Sequence, residues 1–134
     1  MGFKQLVIII FLIVVGAIYL ILGAVQTSTK FEEFYEQKLE EPKKEQAHYY
    51  NIVYVYWVGK EKRALELIES YREKYHKTGL ERAEEIDYIE VKIYDEFLNK
   101  NQAKGYYKEF MEKYPESDRY EDIKKRYNEL VTFY

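Results

Sequence analysis

Residues 6–25 read LVIIIFLIVVGAIYLILGAV, and the fold turns on how they are read. The run holds no charged side chain and one polar-tipped one, Tyr19. At about 1.5 Å per residue, a helix of this length spans roughly 30 Å, the thickness of a bilayer's hydrocarbon core. Lipid offers the backbone no hydrogen-bond partner, so an isolated segment crosses it only as a helix. Residues 1–26 are therefore expected to be an N-terminal transmembrane anchor. A cleaved signal peptide is the first competing reading. Its apolar region is shorter, about 7–15 residues, and ends in a small-x-small site. Here Leu22 and Ile21 stand at the upstream position for cuts after Ala24 and Gly23. The chain has no Cys, which removes lipoprotein processing. A buried core helix is the second competitor, but this run is longer than a domain of this size would hide.

The rest of the chain is polar and mixed in charge. All 24 acids lie beyond residue 26, as does every Lys and Arg except Lys4. The mildly acidic balance argues against nucleic acid, which wants a concentrated basic face. Without Cys there is no disulfide and no thiolate metal site. Orientation meets two opposed signals. Lys30, Lys38, Lys43 and Lys44 follow the apolar run, and the positive-inside rule would keep them in the cytoplasm. A short positive N-terminus followed at once by a long apolar helix has the layout of a signal anchor, whose C-terminal part is exported. The expectation adopted is a single-pass inner-membrane protein with an extracytoplasmic domain.

Six helical segments follow. Residues 27–41 place Phe31, Tyr35 and Leu39 on one face, with a possible capping box from Thr29 to Glu32. Pro42 ends or bends this helix. Residues 27–43 are read as a juxtamembrane stalk and 44–134 as the folded domain. Residues 43–57 carry two apolar stripes, Ala47/Tyr50/Tyr54/Trp57 and Tyr49/Val53/Tyr56, which call for cover on more than one side. Gly59 allows a tight turn. Amphipathic helices then fit 61–76, 82–98, 102–114 and 118–133, separated by Lys77-Thr78-Gly79, Asn99-Lys100-Asn101 and Pro115-Glu116-Ser117. Connections this short make antiparallel neighbours. No stretch alternates long enough to propose a strand. The fold class is all-α: a membrane helix followed by stacked antiparallel helix pairs.

A shift of 39 residues lays the chain on itself: Ala64 on Ala103, Tyr75 on Tyr114 and Tyr88 on Tyr127, with Ile68 on Tyr107 and Val91 on Leu130 keeping apolar character. Pairs of helices that cannot bury their faces alone stack on their neighbours. The run Ala103-x3-Tyr107-x3-Met111-x2-Tyr114-Pro115-x-Ser117 resembles the second helix of a tetratricopeptide repeat, as found in bacterial envelope proteins. That resemblance assigns packing roles to Ala64, Ile68, Tyr75, Ala103, Tyr107, Tyr114 and Pro115. The first unit departs from it: Tyr71 stands where a small residue is usual, and His76 where Pro is usual. The period also exceeds the family's 34 or so residues. Gly2-Phe3 ahead of an apolar helix is similar to processed type IV pilin-like proteins, but Val7 occupies the place of their usual Glu.

No catalytic constellation stands out. His48 and His76 lie on different helices with no HExxH or Cys partner. His48 is read as packed or exposed on its helix, and His76 as a helix end. No Gly-rich phosphate loop and no calcium loop occurs. The chain is expected to be no enzyme, with no cofactor, no metal and no small-molecule substrate. The resemblance implies a concave face that accepts a peptide or helix from a protein partner in or near the membrane. Tyr50, Tyr54, Trp57, Tyr88 and Tyr94 are the candidates to line or support it. A purely structural subunit of a larger membrane complex is the alternative.

Overall fold

The computed structural model describes residues 2–78 and 80–134, so the turn residue Gly79 lies outside it. Among the described residues seven α-helices follow one another: α1 Phe3–Leu22, α2 Ala24–Lys38, α3 Lys43–Trp57, α4 Glu61–Tyr75, α5 Ala83–Phe97, α6 Lys100–Lys113 and α7 Tyr120–Phe133. A 3-10 turn, Leu80–Arg82, leads into α5. No strand occurs among the described residues. The protein is all-α, and helices α2 to α7 pack each on the next. Helix α1 is long and apolar enough to cross a membrane, and none of its residues is buried against the rest of the chain.

Local chemistry sets the boundaries. Gly23 separates α1 from α2, and a Cβ there would meet the Tyr19 carbonyl oxygen at 3.0 Å. At the end of α3, Gly59 takes φ +73°, a conformation that disfavours any side chain. Its N–H donates to the Tyr56 carbonyl at 3.0 Å and the Lys60 N–H to that of Val55 at 2.8 Å, which closes the helix with a Schellman motif. Asn99 caps α6, its Oδ1 accepting from the N–H groups of Asn101 and Gln102 at 2.9 and 3.2 Å.

Helix α5 holds the core together because it is apolar on two faces. Ile86, Ile89 and Ile93 meet Ile52 and Val55 of α3 and Ala64, Leu67 and Ile68 of α4. On its other face Val91 joins Ala103, Tyr107 and Phe110 of α6 with Ile123 and Leu130 of α7. Each such aliphatic side chain contributes about 1.5–3 kcal/mol when taken from water.

Expectations for two segments are corrected here. The segment 27–43 does not stand apart as a stalk. Helix α2 lies along α3 and buries Ala24, Ser28 and Tyr35 completely. Asn51 Nδ2 donates to the Ser28 carbonyl at 3.1 Å, and Arg63 Nε donates to Ser28 Oγ at 3.1 Å while its guanidinium pairs with Glu32. Of the expected face, Tyr35 is buried in the domain, while Phe31 and Leu39 are half-buried. Thr29 makes no capping box either. It sits within α2, its Oγ1 donating to the Val25 carbonyl at 2.9 Å.

The second correction concerns α3. Its buried strip is Ala47, His48, Asn51, Ile52 and Val55, which shares only Ala47 with the two expected stripes. His48 and Asn51 read as polar in sequence, yet both are enclosed because the neighbouring helices supply partners. His48 Nε2 lies 2.9 Å from the Leu67 carbonyl oxygen, and the ring packs among Tyr35, Tyr71 and Tyr75. Burial lowers the His48 pKa below its ordinary value.

Candidate functional site

The packing of α3 against α5 joins the second aromatic stripe of α3 to one face of α5. Tyr49 and Tyr56, seven residues apart on α3, lie on the same side of that helix. The Arg82 guanidinium lies over the Tyr49 ring, 4.7 Å from its centroid. The Tyr56 hydroxyl donates to Glu96 Oε2 at 3.3 Å. Burial, helped by Glu96, pushes the Tyr56 pKa up to about 12. Burial and then Glu85 raise that of Tyr49. On α5 the Tyr88 ring is capped by Arg119, whose carbon centre is 4.7 Å from the ring centroid. Arg119 also binds Glu85 at 2.6 Å. Cation–π contacts of this kind are worth about 0.5–1 kcal/mol at exposed sites.

Beside Tyr88 a cleft of about 180 Å³ opens between α5 and α7, lined by Lys92, Arg119, Asp122, Ile123 and Arg126. Its basic side chains are matched. Lys92 binds Glu96 at 2.8 Å, and Arg126 binds the buried Asp95 through two nitrogens at 2.8 and 2.9 Å. The Tyr107 hydroxyl donates to the same carboxylate at 2.7 Å, and Lys100 Nζ approaches it at 3.4 Å. The Arg126 hydrogen bonds hold the Asp95 carboxyl well below the usual carboxylate range, overcoming its burial.

The five residues expected to line one groove occupy three places. Tyr88 belongs to the α3–α5 face. Tyr94 stacks on Tyr106 of α6, ring centroids 4.5 Å apart. Tyr54 and Trp57 lie on the side of α3 that meets α1, and Tyr50 is exposed with its ring centroid 5.5 Å from that of Tyr49. The Tyr54 hydroxyl donates to the Leu20 carbonyl at 2.7 Å, and Trp57 is 85% exposed. Of the expected packing residues, Ala64, Ile68, Tyr75, Ala103 and Tyr107 are buried and Tyr114 is half-buried. Pro115 is exposed in the turn after α6. His76 ends α4 with its Nδ1 3.1 Å from the Glu73 carbonyl oxygen.

Sequence reasoning passed over Tyr49, Tyr56 and Asp95 as site residues. Tyr49 and Tyr56 were visible only as a stripe in need of cover. Asp95 carried a signal: it follows Tyr88 by seven residues and Val91 by four, so its charge lies on the face that carries those two apolar side chains. Chemically, the α3–α5–α7 side offers stacking faces and matched ion pairs. Among the described residues no cluster of His, Asp and Glu has the arrangement of a metal site. No protein-family model, curated protein or solved structure matches the chain.

Proposed function

We propose that this chain is a membrane-anchored protein-interaction module, a scaffold or accessory factor of a membrane complex. The observation that carries the reading is a set of three tyrosines on α3 and α5, Tyr49, Tyr56 and Tyr88, two of them capped by Arg82 and Arg119, on a domain joined to an apolar helix. Rigid aromatic faces and arginines supply contact area at low entropic cost and dominate protein recognition. A tetratricopeptide-like stack of helix pairs is part of this reading. It is supported by the burial of positions related by the 39-residue shift: Ala64 and Ala103, Ile68 and Tyr107, Tyr71 and Phe110, Val91 and Leu130. The anchor adds effective concentration, since partners in the same membrane meet the face in two dimensions.

A photo-crosslinking residue at Glu96, exposed on this face, should capture a discrete protein adduct in native membranes. The same residue at Glu69, exposed on α4 beside Glu90 and Tyr94 of α5, should capture none. Failure to trap an adduct from Glu96, or equal trapping from both sites, would sink the assignment of this face. We place the domain on the extracytoplasmic side, on the layout of the signal anchor. Protease added to spheroplasts should therefore remove it without lysis.

A further inference from the structure

Helices α3, α5 and α7 all end at the same end of the stack, and contacts run along it from one to the next. Tyr54, in the last turn of α3, donates its hydroxyl to the Leu20 carbonyl at the end of α1. That carbonyl belongs to the last turn of α1, where helical partners run out. Gly59, just past α3, faces the Phe97 ring at the end of α5. Lys100, opening α6, lies over the ring of Tyr134 beyond α7, 5.2 Å from its centroid.

Exposed apolar side chains are concentrated at this end. Outside α1, nine large apolar side chains among the described residues are strongly exposed, and five of them, Trp57, Phe97, Leu98, Phe133 and Tyr134, sit here. The opposite end, formed by residues 39–42, 76–78, 80–82 and 114–119, contributes none among the described side chains. Solvation alone would give no reason for such a difference between two ends of one helical stack.

The geometry points to the headgroup layer of the bilayer as the surface on which this end is seated. The inference rests on α1 crossing that bilayer. Helix α3 runs antiparallel along α2, with His48 beside Tyr35 and Asn51 beside Ser28, and then reaches α1 at Leu20. Its final turn, with Trp57, therefore overlaps the final turn of α1. If the end of α1 lies at the edge of the hydrocarbon, Trp57 lies in the interface beside it. Trp and Tyr are the residues that favour this layer, with an apolar ring and a polar tip. Lys60 and Lys62 flank the site without a carboxylate partner among the described residues, which suits lipid phosphates. The seat fixes the stack against the membrane, so the tether does not swing freely and the α3–α5 face is held at one height above the lipid.

Trp57 is the only Trp in the chain and reports on its own surroundings. The full-length protein is placed in phosphatidylcholine–phosphatidylglycerol vesicles. A second reporter, Trp57→Phe with Glu116→Trp, puts the indole at the opposite end. The expected result is a blue shift of Trp57 emission relative to that reporter, loss of iodide quenching, and quenching by lipids with a nitroxide near the headgroup. Phe97→Trp in the Trp57→Phe background should behave like Trp57. Equal iodide access at both ends overturns the seat. Protection from iodide without nitroxide quenching also overturns it, because protein then covers the site. A carbonate wash separates the two levels of failure. Release from the vesicles removes the anchor and the seat together, whereas retention with an open Trp57 removes the seat alone.

Discussion

Asp95 and His48 are two buried groups whose titration reaches the stability of the whole domain. Asp95 is 4% exposed and is held ionised by Arg126, Tyr107 and Lys100. Removing one member of a buried pair strands the other. Arg126 keeps about a third of its side chain in water and can rehydrate in part, so Asp95→Asn should cost about 3 kcal/mol, the low end for such losses. Urea denaturation of the full chain in mild detergent measures this. Because the folded-state pKa is depressed, the Asp95 contribution is complete above the ordinary carboxylate range. It is lost as pH falls through the lowered folded value. His48 is depressed too, by burial. Its neutral form is the folded form, so its stabilisation is present above the ordinary value of 6.5 and is lost as pH falls from there toward the lower folded value. Thermal melts taken at descending pH should show the midpoint dropping below about pH 6.5 in the parent, and no such step in His48→Phe.

Helix α2 would be easy to mistake for a spacer, and its removal separates the two roles. Tyr35 is fully enclosed by α3 and α4, and its hydroxyl finds no hydrogen-bond partner among the described residues. Burial raises the Tyr35 pKa to about 12. Around it, Glu32 and Glu36 pair with Arg63 and Lys74 of α4. Deleting α2 would bare His48, Asn51, Tyr71 and Tyr75 at once. A fragment of residues 27–134 should give a cooperative melt, while one of residues 44–134 should aggregate or melt without cooperativity. Matching melts from both fragments would restore the stalk. The turn after α3 is tested by Gly59→Ala. A Cβ would find Phe97 at an ordinary 3.8 Å, so the cost is conformational. At φ +73° that cost should be about 1–2 kcal/mol, read as a lower denaturation midpoint.

At the scale of the molecule, the protein joins an apolar rod with no buried residue to a stack that buries two connected cores. Without residues 1–22 the stack should partition into the soluble fraction, and the intact chain should resist carbonate extraction. A truncated chain still retained by vesicles would show that the bundle end holds the membrane by itself. Much of this was legible in the sequence. A helix long and apolar enough to cross a membrane could be read because uniform apolarity needs no partner to be visible. All six helices beyond it followed from the spacing of apolar residues and from Gly59, Asn99 and Pro115, with α2 beginning three residues earlier than expected. Tertiary structure decided what periodicity cannot: which apolar face meets which neighbour. His48 and Asn51 went inward because a carbonyl from another helix waited for each, whereas Tyr50 and Trp57, apolar by composition, stayed out. Tyr88 and Tyr94 share a helix but face different neighbours. A hydrophobic pattern records that a face must be covered, and only the packed chain determines what covers it.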